Sequence, residues 1–342
     1  MTGRELVLDV LAGRAVPRTP AGPLAVHYCA RLAGVSLRRY TTDAATLAEC
    51  VTRYYERFQP DAIWLSADTW VTAQAMGAPV AFSDGDSPMS GTGEPLVSQP
   101  ADVDKIPPPD PGSQGRWPMM LDALQRIRRG VGEDVCLVAC FDQYPFSLAC
   151  ALMGIETSLM KAFDDPPLLE AVMAKAVDYA SAYALSLDRA GADVLSGGDS
   201  PAGLLGPELY HKVAWPFACR LVERLKASTV KPVTLHICGS ATAVVSDMAA
   251  TGVDALELDQ RVDLTAAARI VGPGVGLWGN LDPVALLAQA APRQVRQTTM
   301  ELVRSMRSVG HARFVASSGC TLAVETPAEN LDAFFAAVKE GG

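Results

Sequence analysis

Three residues of the types that bind transition metals stand in two short segments of this 342-residue chain. His236 and Cys238 lie two positions apart in the apolar run Val233–Cys238, and Cys320 lies near the end of the sequence. Alternate side chains of a β-strand share a face, so His236 and Cys238 would point the same way. One imidazole and two thiolates would suit a Zn²⁺ ion and leave a fourth position open for catalysis. A core histidine with two buried thiols is the alternative interpretation of the same residues.

The other histidines and cysteines are weaker candidates for metal ligands. His27 falls within a predicted strand, His211 early in a predicted helix, and His311 in the loop that enters the last predicted strand. Cysteines without a histidine at ligand spacing usually act as small apolar core residues. Packing is therefore the predicted role of the remaining cysteines, Cys29, Cys50, Cys136, Cys140, Cys150 and Cys219.

The elements that must position these residues can be predicted from hydrophobic patterning. Short apolar runs, several of them rich in β-branched or aromatic residues, alternate with longer amphipathic stretches. The alternation predicts a parallel sheet closed into a single (β/α)8 barrel, an α/β fold, over residues 1–342. The predicted helices include Leu168–Ala190, Pro207–Ala227, Thr242–Ala250 and Pro292–Val309. The predicted strands are Pro23–Tyr28, Ala62–Ser66, Val135–Phe141, Ala192–Ser196, Val233–Cys238, Asp254–Leu258, Gly274–Gly279 and Arg313–Ser317.

Two features leave other arrangements open. Val80–Phe82 could add a strand, and an open doubly wound sheet would produce a similar alternation of elements. Residues 83–115 are rich in Pro, Gly, Ser and Asp, a composition that disfavours regular helix or sheet. A connection of this length is unusual in a domain. We therefore predict an irregular insertion there, either a lid over a site or an ordered excursion.

Polar residues follow most predicted strands at their carboxyl ends, where barrel enzymes hold their active sites. Asp68, Asp142, Tyr144, Asp199 and Asn280 occupy such positions, and we predict that they line a substrate pocket. Turn formation also favours Asp and Asn at strand ends, so some of these positions could be purely structural. The histidine and two cysteines described above fall at the same end, which would bring a metal ion and the pocket together.

Composition and charge limit the classes of partner. Acidic residues outnumber basic ones by 38 to 29, which gives a formal charge of −9 and disfavours a nucleic-acid partner. No apolar run approaches the roughly 18–20 residues of a membrane span. Met1–Arg14 mixes charged with apolar residues, unlike a signal peptide, so we expect a cytoplasmic protein with reduced thiols. Thr2 and Glu5 fit a capping box at the start of a helix.

Several segments together match the pattern of a known family. The most specific are LHICGSAT (235–242) and SSGCTLAVETPAENLDAF (317–334), which contain the His-x-Cys pair and the later cysteine. The others are PDAIWLSAD (60–68), MGAPVAF (76–82), AGADVLSGGDS (190–200), TGVDALELD (251–259) and GNLDP (279–283). With these segments the chain resembles the uroporphyrinogen decarboxylase superfamily, and within it the zinc-dependent methyltransferases that act with corrinoids. The resemblance covers nearly the whole chain.

The resemblance implies a (β/α)8 barrel and a role for each candidate ligand. His236, Cys238 and Cys320 would bind a catalytic Zn²⁺ ion. A methyl group would move between a small substrate and cobalamin, which a corrinoid protein would carry as a separate partner. The small substrate would be a methyl ether, such as a methoxylated aromatic that undergoes O-demethylation, or a thiol. The direction of transfer is left open by the sequence.

Two alternatives from other functional classes remain at this point. One is a metal-free decarboxylase of a small acid, with Asp68 or Asp199 as the acid–base group. The Arg-x-Ala-Gly-Arg-Tyr motif of the decarboxylases is only echoed in residues 31–34, and no basic cluster is present to bind a porphyrinogen's many carboxylates. The other alternative is a non-catalytic relative that binds a corrinoid or another small ligand.

Overall fold

The computed structural model describes residues 1–91 and 94–341, and seven of the strands in them form one parallel sheet. Along the sheet the strands follow the order β1-β4-β5-β6-β7-β8-β9, with no reversal, which excludes the doubly wound alternative. A separate antiparallel pair, β2 with β3, includes the short strand foreseen near Val80. The strands are β1 Ala62–Leu65, β2 Val80–Ala81, β3 Met89–Ser90, β4 Cys136–Gln143, β5 Val194–Gly198, β6 Val233–Ile237, β7 Ala255–Leu258, β8 Gly276–Leu281 and β9 Phe314–Ser318.

Helices cover the outside of this sheet. They are α1 Gly3–Leu11, α2 Val26–Ala33, α3 Leu37–Thr42, α4 Ala44–Phe58, α5 Val71–Ala75, α6 Pro100–Val103, α7 Trp117–Val131, α8 Pro145–Met153, α9 Ile155–Asp164, α10 Pro166–Arg189, α11 Gly206–Leu209, α12 Trp215–Lys226, α13 Val245–Ala250, α14 Leu264–Val271, α15 Pro292–Ser308 and α16 Ala328–Glu340. Among the described residues no single helix has the length and apolarity to cross a bilayer; α8 with α9 meets those two criteria only as a pair bent by 111°.

The predicted first strand, Pro23–Tyr28, is wrong, because most of it belongs to α2 and to the turn before that helix. Val26, Cys29 and Ala30 form one buried face at helical spacing, and Gly34 ends the helix in the left-handed conformation. The eighth position of the barrel is filled by a single extended residue instead. Ala21 pairs in parallel with Ala316 of β9, and its carbonyl accepts a hydrogen bond from the amide of Asp61 just before β1. The curled sheet is therefore barrel-like with seven full strands.

The insertion at 83–115 packs on the outer helices, and its predicted role as a lid is not confirmed. Its buried side chains Val97, Val103 and Ile106 join the apolar core outside the sheet. The Tyr179 hydroxyl of α10 donates to the Pro107 carbonyl at 2.8 Å. Thr92 and Gly93, within the insertion, lie outside the described residues. No described residue of this segment lines the cavity at the centre of the barrel.

The interior of the barrel is closed at the end where the strands begin. Alternate strand residues point inward, and α1 adds Val7, Val10 and Leu11 to this inner cluster with Trp64 and Trp278. The capping box predicted for this helix is present, since Thr2 Oγ1 accepts from the amide of Glu5 while Glu5 caps the Thr2 amide. A filled lower half leaves the opposite end of the barrel, where the strands finish, available for a cavity.

Candidate metal centre

His236, Cys238 and Cys320 meet at the carboxyl end of the sheet. His236 lies at the end of β6, Cys238 follows that strand, and Cys320 follows β9. His236 Nε2 lies 2.8 Å from Cys238 Sγ, and the two sulfur atoms are 3.4 Å apart. One ligand atom from each residue falls within 4.8 Å of the other two. Leu235 and Ile237, between and beside them, pack into the outer core, as strand alternation requires.

The three donor atoms fit a zinc ion in number, type and spacing. With Zn–S bonds of about 2.3 Å and tetrahedral angles, two zinc-bound sulfur atoms lie roughly 3.8 Å apart. The observed sulfur separation of 3.4 Å is within a few tenths of an ångström of that value. Thiolate and imidazole donors favour zinc over magnesium or calcium, which take oxygen ligands. Three protein ligands also leave one coordination position for a substrate.

The thiols of Cys238 and Cys320 lie within hydrogen-bond distance of each other. A hydrogen bond from Cys320 lowers the pKa of the Cys238 thiol, and the same bond raises the pKa of Cys320 to about 12. The Cys238 amide donates to Ser200 Oγ at 3.2 Å, which anchors the loop after β6. A divalent cation would displace the thiol protons and stabilise both sulfurs as thiolates.

Glu257 of β7 orients the histidine and was missed by the sequence analysis. Its backbone carbonyl lies 3.1 Å from His236 Nδ1, which directs Nε2 toward the sulfurs. Glu257 Oε1 accepts hydrogen bonds from Ser196 and Thr234, while Oε2 lies 4.0 Å from His236 Nδ1 without a hydrogen-bond partner in the described chain. The available signal was the strand pattern, because Glu257 alternates with the outward Leu256 and so places a charge inside the barrel.

The three candidate ligands open onto a cavity of about 380 Å³. Its wall is formed by the inward residues of β1, β4, β5, β6 and β7 and by the loops that follow β5 and β9. None of the described lining residues is Lys or Arg, and the carboxyl groups among them are those of Asp142 and Glu257. The lining includes Leu24, Trp64, Ser66, Cys140, Gln143, Ser147, Ser196, Gly198, Ser200 and Thr321.

Asp142 is the one predicted substrate-binding residue that lines this cavity among the residues described. It stands in an irregular register between β4 and β5, with a left-handed φ of 68°. Its Oδ2 accepts from the Thr72 amide at 2.6 Å, and its Oδ1 has no hydrogen-bond partner within the described ranges. Burial, with the nearby charge of Asp68, raises the pKa of Asp142 to about 8.

Asp199 lies behind the cavity wall. Its Oδ1 accepts from the Ser147 amide at 2.8 Å and from the Ser147 hydroxyl at 2.7 Å. Burial raises the pKa of Asp199 to about 7. Its own amide donates to the His236 carbonyl at 2.7 Å, so the residue braces the metal centre through the backbone of β6.

Asp68, Tyr144 and Asn280 have structural contacts in place of the predicted position on the pocket wall. Asp68 forms a buried ion pair with Arg116. The Tyr144 hydroxyl donates to the Thr234 carbonyl at 2.9 Å. Asn280 Nδ2 donates to the Asp259 carbonyl at 2.9 Å and to a second carbonyl after β7. These contacts use the polar groups of Asp68, Tyr144 and Asn280 within the fold.

The remaining histidines lie away from the three candidate ligands. His27 belongs to α2, not to a strand, and its Nε2 contacts the Ala67 carbonyl at 2.7 Å. His211 stacks on Trp215 and lies 3.3 Å from an Asp247 carboxylate oxygen, and its ring is exposed. His311 lies in the loop before β9, at the closed end of the barrel.

Known proteins resemble this chain over its whole length. A family model described as uroporphyrinogen decarboxylase (URO-D) matches residues 2–341. A uroporphyrinogen decarboxylase of Gloeobacter violaceus is 28% identical, covering 98% of this chain and 97% of its own. One of Nostoc punctiforme is 31% identical, covering 84% of this chain and 80% of its own.

Solved structures give the same fold. A methyltransferase from Methanosarcina mazei superimposes with a TM-score of 0.89 at 25% identity, covering 99% of both chains. A B12-independent methionine synthase from Shewanella shares the fold alone, with a TM-score of 0.59 at 10% identity. The family model matches residues 2–341, and the fold agrees with it, so the chain belongs to the uroporphyrinogen decarboxylase family.

Proposed function

We propose that this protein is a zinc-dependent methyltransferase that moves a methyl group between a small substrate and a corrinoid carried by a partner protein. The observation that carries the proposal is the convergence of His236, Cys238 and Cys320 on one cavity. The likeness to the Methanosarcina methyltransferase over the whole chain supports the same reaction class. The substrate would be a thiol or a methyl ether, since both leave negative charge on the atom that gives or takes the methyl group.

Each residue of the centre has a distinct part in this proposal. Zinc, when bound, supplies Lewis-acid stabilisation of negative charge on sulfur or oxygen, which lowers the barrier to methyl transfer. His236, Cys238 and Cys320 would hold the ion. The Glu257 carbonyl fixes the tautomer and the plane of the His236 ring. Ser200 holds the loop that presents Cys238.

The cavity disfavours the decarboxylation of a porphyrinogen, the reaction in the names of the curated relatives. A porphyrinogen bears many carboxylates and needs cations to bind them, whereas no lining residue described here is basic. Arg116, a buried arginine near this end of the barrel, is already paired with Asp68. A metal-free decarboxylase of a smaller acid is the second candidate, favoured by the names of those relatives. Its predicted acids, Asp68 and Asp199, do not line the cavity.

Metal analysis tests the central claim. Protein purified under reducing conditions without added zinc should hold about one zinc per chain, and Cys320→Ser should lose it. Reduction matters because the two sulfurs are close enough to be oxidised together. Cys219→Ser is the matched control, since Cys219 is a partly exposed free thiol outside the cavity and should leave zinc binding unchanged. Wild-type protein that stays metal-free when zinc is offered would reject the proposal.

Methyl transfer can be followed by the visible spectrum of cobalamin. Zinc-loaded protein should interconvert methylcobalamin and demethylated cobalamin with at least one thiol or methyl ether, and Cys320→Ser should abolish the change. Carbon dioxide release from a small acid by metal-free protein would instead support the decarboxylase. If zinc-loaded protein transfers no methyl group and releases no carbon dioxide from a small acid, the result would indicate a non-catalytic binding protein.

A further inference from the structure

Gly198 is the last residue of β5 and lines the cavity beside the metal centre. Its register partners in the sheet are Gln143 of β4 and His236 of β6. A glycine inside a strand weakens the sheet, because it has no side chain to pack and loses more conformational freedom on folding than other residues. Such a glycine commonly marks a bulge, a tight bend, or a place where another backbone or a ligand approaches closely.

The backbone at Gly198 does not require glycine. Its φ lies outside the left-handed region, so a residue with a side chain can adopt the same conformation. The irregular register beside it belongs to β4, where three steps from Cys140 to Gln143 oppose two steps from Ser196 to Gly198. The extra residue is therefore on β4, and β5 carries no bulge at this point.

Packing within the protein does not require glycine at this position either. A Cβ atom on Gly198 would have two described heavy atoms within 4 Å, the carbonyl oxygens of Asp142 at 3.7 Å and His236 at 3.8 Å. Both distances are ordinary van der Waals contacts. Gly197 is the opposite case, because a Cβ atom there would stand 2.4 Å from the Phe141 ring. The fold therefore accounts for glycine at 197 and not at 198.

The open space beside Gly198 belongs to the cavity. Side chains alternate along a strand. Ser196, two residues before Gly198, lines the cavity and donates to Glu257 at 2.8 Å. Gly197, between them, faces the outer core that contains Phe141. A side chain at 198 would therefore enter the cavity on the same face as Ser196.

The cavity extends from the candidate metal ligands across β5 to a wall on its far side. The sheet order places β5 between β6, which carries His236, and β4. Cys140 of β4 and Trp64 of β1 line the far side. Neighbouring strands are about 4.8 Å apart. A substrate with its reacting atom at the metal and its remaining atoms in the cavity therefore passes over β5, where Gly198 is the residue next to His236.

We propose that Gly198 determines the size of substrate that this protein accepts, by leaving room for a ring or a branched carbon attached directly to the atom that gives or takes the methyl group. The substrate class is thus an ether or thiol with its bulk close to the metal. This inference rests on the proposed function, because the metal centre fixes the position of the reacting atom. Gly198 acts through shape alone, and the inference adds no chemical step.

Three thiols that differ in bulk at the sulfur atom test the inference. Benzenethiol carries a ring there, tert-butylthiol a branched carbon, and ethanethiol an unbranched one. Binding to zinc-loaded protein is measured by calorimetry under reducing conditions, and each thiol is compared between wild type and variant. Wild-type protein should bind all three. Gly198→Ala should weaken the two bulky thiols by about 10–200-fold, the effect of one methylene in a close-fitting pocket, and leave ethanethiol unchanged.

A matched glycine substitution and a larger side chain support the assignment. Gly274→Ala makes the same change at an exposed glycine before β8, which also has open space around its Cβ and lies outside the described lining. It should leave all three affinities unchanged. Gly198→Val, whose side chain suits a strand, should abolish binding of both bulky thiols and weaken ethanethiol. Zinc content and thermal midpoint of Gly198→Ala should equal those of the wild type, because its Cβ has room.

The outcomes separate this inference from the proposed function. The inference is overturned, and the methyltransferase proposal left intact, if wild-type protein binds ethanethiol but neither bulky thiol. The same holds if Gly198→Ala leaves all three affinities unchanged or lowers them equally. Loss of zinc or of the fold in Gly198→Ala would also overturn the inference, because it would assign the glycine to the fold. A wild-type protein that holds no zinc overturns the methyltransferase proposal, and the inference falls with it.

Discussion

The two ends of the barrel treat buried and partly buried acids in opposite ways. At the closed end, acids that precede strands are paired with cations: Asp61 with Arg18, Asp193 with Arg4 and Arg128, and Asp254 with Lys226. At the open end, Asp142, Asp199 and Glu257 each keep one buried oxygen without a partner in the described residues. The closed end is built for stability and the open end for binding, as in other barrels of this type.

Asp193 shows how completely the closed end is satisfied. Arg4 reaches one of its oxygens at 2.8 Å, and Arg128 reaches the other at 2.5 Å. The Leu137 amide adds a third hydrogen bond at 3.0 Å. This carboxylate joins α1, α7 and the strands β4 and β5. It therefore ties these four elements together at the closed end.

Asp68 is an exception among the acids at the open end, because it is paired with a cation. Asp68 follows β1 but pairs with Arg116, and it does not line the cavity. Because the Asp68 carboxylate is already paired with Arg116, it is not available to bind a ligand in the cavity. Asp142 and Glu257, which have no cation partner in the described residues, line the cavity, whereas Asp199, which also has none, lies behind its wall. The three acids that keep a buried oxygen without a partner in the described residues therefore collect at the open end of this barrel.

The largest expected effect is the loss of the closed-end ion pairs in Asp193→Ala. Removing the carboxylate leaves two arginines partly buried without a counter-charge, so we expect the free energy of unfolding to fall by about 3–5 kcal/mol. Chemical denaturation measures it. The zinc content of the remaining folded protein should be normal. A loss below about 1 kcal/mol would contradict the view that this end stabilises the fold.

Glu257→Gln should have the next largest effect, on metal binding. The substitution keeps the size of the side chain and removes the charge next to His236, so we expect zinc affinity to fall by about 10–100-fold. Competition with a chromophoric chelator gives the affinity. The conservative change leaves the backbone carbonyl that orients His236 in place, so an unchanged affinity would show that the carbonyl alone suffices.

Asp142→Asn should stabilise the fold, opposite in sign to the change at Asp193. Burial and the nearby charge of Asp68 raise the pKa of Asp142 to about 8, and the positive charge of Arg116 acts in the opposite direction. Below that pH the folded state holds a proton that the unfolded state has released, so the carboxyl costs stability increasingly as pH rises from acid toward 8. We expect a gain of about 1 kcal/mol near pH 8 and less near pH 5. Thermal melts of the wild type and the variant at the two pH values measure the gain in stability. A gain that is absent, or that is larger near pH 5 than near pH 8, would refute the prediction.

The smallest expected effect is at Lys226, whose pair with Asp254 is the most exposed among the closed-end pairs of Asp61, Asp193 and Asp254. The Lys226 and Asp254 side chains retain 34% and 30% of their exposure, so solvent screens the pair. Lys226→Met should cost about 0.5 kcal/mol, and the cost should shrink in high salt. A loss as large as that of Asp193→Ala would show that burial is not what separates these pairs.

The strand positions were largely predictable because each strand buries a short apolar run between turn residues. Seven of the eight predicted strands are present, and each of their ends differs from the prediction by at most two residues. The failure at Pro23–Tyr28 has a physical cause. VHYCARLA has apolar residues at helical as well as alternating spacing, and the choice was made by packing of α2 against α4.

The candidate site also contains residues that the sequence could predict and residues that it could not. Residue type and strand alternation predicted that His236 and Cys238 share a face, and the meeting of strand ends predicted that Cys320 would join them. Position after a strand did not separate Asp142, which lines the cavity, from Asp68, which does not, because the pairing of Asp68 with Arg116 depends on two distant segments. Glu257 and Gln143 carried no local signal beyond inward register.

The sequence by itself therefore determined the barrel class, the ligand types and the end of the sheet where they stand, because these follow from periodicities of a few residues. Only the tertiary structure decided which acids find cations. Ion pairs such as Asp193 with Arg4 join residues 189 positions apart, and a buried oxygen without a partner is defined by all of its neighbours at once. The partners of the acids at the open end are thus set by the folded chain and cannot be read from short stretches of sequence.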